Sequence, residues 1–157
     1  MSYNVGINGF GRIGRLVFRR SIALGKKIKA INQLDTDVKY LLYQLNNDTV
    51  HGKFPFPAKI IDEKTIEVNG QRIAILSNKD ASKLGWKELG VDLVHECTGA
   101  FLTTEKAGKH LEAGAKKVIL SAPPKDDTPI FVYGVNHHKY ESKINIVSNA
   151  SCTTNCL

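Results

Sequence analysis

Cysteine is scarce: Cys97, Cys152 and Cys156 are the only three in 157 residues. An odd number at irregular spacing excludes the disulfide framework of a small secreted domain and points to a reducing cytoplasm. No Cys/His grouping has zinc-finger spacing, and no metal site is expected. No apolar run approaches the ~20 residues that cross a bilayer, so no membrane partner is expected. Met1-Ser2-Tyr3-Asn4 lacks the basic-then-apolar order of a secretion signal. Internal repeats, coiled-coil heptads and low-complexity linkers are also missing.

What remains is an ordinary globular composition, 42% hydrophobic and 24% charged, enough for one domain with a sizeable core. The net charge is +7. The cations are dispersed, as at Arg12, Arg15, Arg19, Arg20 and again at Lys106, Lys109, Lys116, Lys117. No stacked-aromatic RNA motif accompanies them, so a solvated basic surface or a small phosphate-bearing ligand suits them better than nucleic acid.

Apolar runs alternate with helical patterns. Val5 to Ile7 and Lys27 to Asn32 read as strands; between them Ile13, Leu16, Val17 and Arg20 recur at helical spacing. Val38, Leu41, Leu42 and Leu45 mark a second helix. Asn46 to Pro57 reads as a loop, with Phe54-Pro55-Phe56-Pro57 packed in it. Ala58 to Ile61, Thr65 to Val68 and Arg72 to Leu76 form an antiparallel insert, with Asn69-Gly70 as a hairpin turn. Asp92 to Cys97 resumes the alternation. A helix capped by Thr103 or Thr104 follows, stopped by Gly114. Lys117 to Ser121, Ile130 to Tyr133 and Asn145 to Ser148 are further strands. The expected fold is α/β: a doubly wound, mostly parallel (Rossmann) sheet with a small antiparallel insert. Residues 1–150 are expected to form this domain, and 151–157 to open a second one.

Gly9-Phe10-Gly11-Arg12-Ile13-Gly14 matches G-x-G-x-x-G between a strand and a helix, the context that the dinucleotide fingerprint requires. Gly9 permits the turn, Gly11 lets backbone approach a pyrophosphate, and Gly14 lets the helix pack close. The amides of Arg12 and Ile13 face the phosphates. The second strand ends at Asn32-Gln33, where the fingerprint expects an acid for the ribose 2′-hydroxyl. Gln33 is neutral. It forgoes a charged hydrogen bond but removes the repulsion of a 2′-phosphate, so NADP is admitted beside NAD.

Near the other end, Ile144 to Val147 leads into Asn149-Ala150-Ser151-Cys152-Thr153-Thr154-Asn155-Cys156. A strand delivering Cys152 to a helix start would favour its thiolate. Cys156 could share that helix face; a buried structural thiol is the simpler reading for it and for Cys97. His137-His138 reads as a surface turn, His51, His95 and His110 as isolated structural histidines, and Trp86 as a core anchor.

Gly6 to Gly14 together with Asn149 to Cys156 resembles the phosphorylating glyceraldehyde-3-phosphate dehydrogenase family over essentially the whole chain. Asp48-Thr49-Val50-His51-Gly52, Cys97-Thr98-Gly99, Gly114 to Val118 and Gly134-Val135-Asn136 add to the likeness. The erythrose-4-phosphate dehydrogenases share both main motifs. The resemblance implies Cys152 as nucleophile and Ser151 and Thr153 beside the substrate and its phosphate. It implies Arg12 and Ile13 at the pyrophosphate, and Thr98, Gly99 and Ser121 beside adenosine and nicotinamide. Lys79 stands where the family commonly has an arginine near adenine, and Gln33 where it has aspartate. The implied partners are NAD and a small phosphorylated aldehyde, in a cytoplasmic homotetramer. The family's catalytic histidine belongs to its second domain, beyond Leu157, so this chain is expected to bind cofactor but be catalytically incomplete. A family C-terminal helix that packs on the first domain would likewise be missing, leaving an apolar strip and self-association.

If Gln33 sets the cofactor preference, Gln33→Asp should tighten NAD about tenfold, the difference between a neutral and a charged hydrogen bond, and weaken NADP. Parallel calorimetric titrations with both nucleotides measure it; unchanged affinities would exclude the assignment.

Overall fold

The computed structural model describes residues 3–35 and 37–155. In chain order its strands are β1 (Asn4–Asn8), β2 (Lys27–Asn32), β3 (Asn47–Asp48), β4 (Gly52–Lys53), β5 (Ala58–Asp62), β6 (Thr65–Val68), β7 (Gln71–Leu76), β8 (Leu93–Glu96), β9 (Lys117–Leu120) and β10 (Ile146–Ser148). The α-helices are α1 (Arg12–Ala23), α2 (Val38–Asn46) and α3 (Thr104–Glu112). Eight strands form one sheet in the order β10-β9-β8-β1-β2-β7-β6-β5. From β10 to β7 all pairings are parallel. The chain builds outward from β1 through β2 to β7, then crosses back to β8, β9 and β10. The order therefore reverses between β1 and β8, where open α/β sheets form their binding crevice.

Burial explains the layers. β1 and β2 are buried almost throughout because α1 and α2 cover one face and the segment around Trp86 covers the other. Ile7, Phe18, Ile31, Leu41 and Ile73 fill the first core; Trp86 anchors the second, fully buried beside Leu84, Val91 and Val94. Val118, Leu120 and Ile146 pack against Ala107 and Leu111 of α3. Thr103 caps α3 by accepting the Lys106 amide at 3.2 Å, and Gly114, at φ +100, turns the chain out. Asn69 and Gly70 both have positive φ, as the tight β6–β7 turn requires.

Several expectations change. The buried stripe of α1 is Gly14, Phe18 and Ile22, whereas Ile13 is 47% exposed and Arg20 faces solvent. Gly14, the residue without a side chain, sets which face meets the sheet. The antiparallel insert extends the main sheet, because β7 pairs parallel with β2 while β6 and β5 pair antiparallel beyond it. The stretch 46–57 contains the β3–β4 ribbon, held by Arg19, which donates to the carbonyls of His51 and Gly52. Residues 130–133 make only one bridge, Ile130 to Ser148. The Val132 amide bonds Asn136 Oδ1 at 2.7 Å and the chain turns away. Cys152–Asn155 form a 3-10 turn, so no α-helix follows the thiol among the described residues. Cys156 lies outside them.

Opposite α3, Ile119 and Val147 are only half-buried. With Phe131, Tyr133, Tyr140 and Ile144 they line a groove of about 290 Å³. Parallel strands ordinarily carry cover on both faces. This groove corresponds to the expected apolar strip.

The α1–β1 approach is the tightest constraint. A Cβ on Gly14 would lie 1.9 Å from the Gly9 carbonyl oxygen. Gly14→Ala should therefore cost roughly 3 kcal/mol, at the high end of overpacking, read as a lower urea midpoint. An unchanged midpoint would show that α1 can back away freely.

Candidate functional site: a crevice at the strand ends and a thiol beside it

All six parallel strands end at one edge of the sheet, at Asn8, Asn32, Leu76, Glu96, Leu120 and Ser148. A crevice of about 460 Å³ opens there, within the range of small-ligand sites. Gly9, Gly11, Asn32, Gln33, Lys79 and Thr98 line it. These are six of the expected cofactor residues, brought from four segments of the chain. Leu34, Ala100 and Phe101 supply apolar wall.

The glycine turn forms its floor. Gly9 has φ +90, and a Cβ there would meet Thr98 Cγ2 at 2.8 Å. A Cβ on Gly11 would meet nothing within 4 Å, so its open side is available to a ligand. Gly11 is the N-cap of α1 and gives no side-chain cap, and the first turn holds no acid. Arg12 and Ile13 thus offer first-turn amides and one cation next to the crevice, the arrangement that receives a phosphate. A dinucleotide diphosphate fits this cradle.

The β1–β2 side of the crevice is tied by side chains. Asn32 Nδ2 donates to Asn8 Oδ1 at 2.7 Å and to the Asn78 carbonyl at 2.9 Å. Both of its N–H bonds are occupied, so Asn32 shapes the wall from within. Gln33 Oε1 accepts the Phe10 amide at 2.6 Å, and its Nε2 donates to the Leu34 carbonyl. The acceptor end of Gln33 is turned into the protein and holds the glycine turn to the end of β2. Lys79 is exposed at the rim. Gly99 follows Thr98 in the turn outside the lining, and Ser121 sits one strand over, its amide on the Glu96 carbonyl at 3.0 Å.

Residue-type reasoning missed Asn8, Glu96 and His110. Glu96 is 1% exposed and bonds Asn8 Nδ2 at 2.5 Å, His110 Nε2 at 2.9 Å and the Thr98 amide at 2.7 Å. His110 continues to Trp86 Nε1 at 3.1 Å, so it is not isolated. The available signal was an acid on the buried parity of β8, two residues after Val94. His95, on the other face, is kept neutral by burial, which lowers its pKa to about 4.

The thiol arrives from β10. Ser148 is anchored through Oγ to the Ala122 carbonyl at 2.8 Å. Ala150, buried, takes φ +81, a conformation that costs a residue with a Cβ roughly 1–2 kcal/mol. That bend turns Ser151 and Cys152 outward. Cys152 is exposed, with Ser151 Oγ 3.8 Å from its sulfur and 3.1 Å from Thr153 Oγ1. These three lie together, outside the crevice lining and at the same edge of the sheet. Cys97 is its opposite: burial pushes its thiol up to about 12, Glu96 adds to the shift, and a Ser121 hydrogen bond opposes it.

The family described as "Glyceraldehyde 3-phosphate dehydrogenase, NAD binding domain" matches residues 3–104. A glyceraldehyde-3-phosphate dehydrogenase of Salmonella typhimurium is 52% identical over 158 residues, covering 100% of this chain and 47% of that protein. The cytosolic enzyme of Leishmania mexicana is 51% identical, over 98% of this chain and 46% of its own length. A chloroplastic one of Arabidopsis thaliana is 50% identical, over 98% and 36%. The chain spans about half the length, or less, of these curated relatives.

The two described cysteines should differ sharply toward iodoacetamide at pH 8. A thiol with a pKa of about 12 is only about 1 part in 10,000 thiolate at that pH. Peptide mapping should find Cys152 alkylated at least about 100-fold faster than Cys97; equal rates would contradict this arrangement.

Proposed function

The chain belongs to the glyceraldehyde 3-phosphate dehydrogenase NAD-binding domain family, and from that premise we propose that it holds NAD in the crevice and presents Cys152 as the nucleophile of a phosphorylating aldehyde dehydrogenase. The observation that carries this reading is the convergence of the glycine turn, Gln33, Lys79 and Thr98 on one cavity at the switch point, with the Cys152 turn at the same strand edge. Residues 1–150 act as the cofactor domain and 151–157 begin the catalytic one.

The chain's own groups divide the work. The first-turn amides of α1, with Arg12, bind the diphosphate. Gln33 and Lys79 take the adenosine half, and Thr98, Gly99 and Ser121 the walls across the switch point. Bound NAD supplies the hydride acceptor. Cys152 would hold the aldehyde carbon through its sulfur, first as a thiohemiacetal and, once hydride has gone to the nicotinamide and the hydroxyl proton to a base outside these residues, as a thioester; inorganic phosphate would then displace the Cys152 thiolate and leave as the acyl phosphate. Ser151 and Thr153 place hydroxyls where the substrate and its phosphate would lie.

With its oxygen occupied by the Phe10 amide and one N–H on the Leu34 carbonyl, Gln33 keeps a single N–H and no negative charge for the ribose edge. NADP is therefore accepted beside NAD. Glyceraldehyde 3-phosphate is the proposed aldehyde. The assembled protein is a cytoplasmic homotetramer in this reading, and the groove beside β10 receives a helix from the rest of the polypeptide. No helix among the described residues is long and apolar enough to cross a membrane.

Calorimetry on the 157-residue chain should show saturable one-to-one binding of NAD. No heat at millimolar NAD would sink the reading. With glyceraldehyde 3-phosphate and phosphate added, no NADH should form, since the family's histidine base is not among these residues; NADH formation would mean that the chain carries a base of its own.

A further inference from the structure

Glu96 has no part in the chemistry above, yet its surroundings are unusually complete. Oε2 receives Asn8 Nδ2 at 2.5 Å and His110 Nε2 at 2.9 Å. Oε1 receives the Thr98 amide at 2.7 Å and faces the Thr98 hydroxyl. The Ala100 amide donates to that hydroxyl oxygen at 3.1 Å, which leaves the hydroxyl proton for Glu96. An indole N–H only donates, so the Trp86 contact at 3.1 Å makes His110 Nδ1 an acceptor and puts the ring proton on Nε2, toward Glu96. Four donors thus fill the acceptor sites of one carboxylate.

Burying a carboxylate costs several kcal/mol unless its lone pairs are satisfied. A strand end needing only packing takes an apolar residue, as Leu120 does on β9 beside it. Here the donors are informative. Asn8 and Thr98 line the crevice, and Asn8 passes the connection to Asn32 on the far wall. The other two links run away from the crevice, through His110 on α3 to Trp86.

We propose that Glu96 is a positioning residue that holds the Thr98–Gly99 turn and, through Asn8 and Asn32, the opposite wall in the geometry that binds the adenosine half of a dinucleotide, and that couples this crevice to Trp86 through His110. The proposal rests on reading the crevice as a dinucleotide site. Gln33 marks the ribose end, so ADP-ribose is the appropriate probe.

The chain has one tryptophan, so the indole N–H gives a single NMR resonance. Titrating the unmodified chain with ADP-ribose should move that resonance, saturating with the dissociation constant found by calorimetry. Glu96→Gln keeps the shape but turns one acceptor into a donor. It should still unfold cooperatively, bind ADP-ribose about tenfold more weakly as preorganisation is lost, and lose the indole response at saturation. A purely structural Glu96 would lower the unfolding midpoint and leave that response intact. The proposal is overturned by an indole resonance that stays fixed while the unmodified chain saturates, or by wild-type affinity in a folded Glu96→Gln. If that variant does not fold, the titration of the unmodified chain decides alone. If the unmodified chain binds no ADP-ribose, the dinucleotide reading falls, and this inference with it.

Discussion

Helix α1 can enter the sheet where it does only because residue 14 has no side chain. Its backbone lies against the Gly9 carbonyl at a distance that no Cβ could occupy. Two consequences follow from that one contact. The helix face meeting the core must be the one carrying Gly14, Phe18 and Ile22. The first turn of α1 must begin beside the end of β1, aimed at the crevice. Packing and ligand geometry are therefore set by the same approach, and Gly9, with its positive φ against Thr98, closes it from the other side.

The parallel sheet does the rest of the gathering. Because every strand from β10 to β7 runs the same way, every connection that leaves a strand end leaves at one edge. Residues far apart in the chain, such as Asn8, Asn32, Asn78 and Thr98, become neighbours there. Asn8, Asn32 and Asn78 bond one another on one side, and Glu96 joins Asn8 to the Thr98 amide across the switch point, so the walls are tied together without a ligand. Stiff walls reduce the ordering cost of binding. An acid-free first turn of α1, with Arg12 in it, makes that edge receptive to anions.

Cys97 and Cys152 illustrate how placement decides chemistry for one residue type. Cys97 follows the end of β8 beside the Glu96 carboxylate, and burial holds its thiol protonated. Cys152 leaves the strand through a strained Ala150 bend and stands exposed among hydroxyls. A residue with a Cβ keeps such a positive φ only where its surroundings hold it there.

Much of this was legible in the order of residues. The period of the apolar runs pointed to most strands and helices, Asn69-Gly70 to the hairpin, and the glycine turn with the end of β2 to Gly9, Gly11, Asn32 and Gln33, whereas Lys79 and Thr98 came only from the family resemblance. These are local signals, and local signals survive in a linear chain. What they could not supply was partnership across it. Residues 130–133 look like a strand until the side chain of Asn136 captures the Val132 amide. Ile13 looks like core until Gly14 claims the sheet. Glu96 and His110 look unremarkable until β8 and α3 bring them within 2.9 Å. A buried carboxylate gains meaning only from the donors around it, and donors separated by up to 88 positions, as Asn8 is from Glu96, are chosen by the fold.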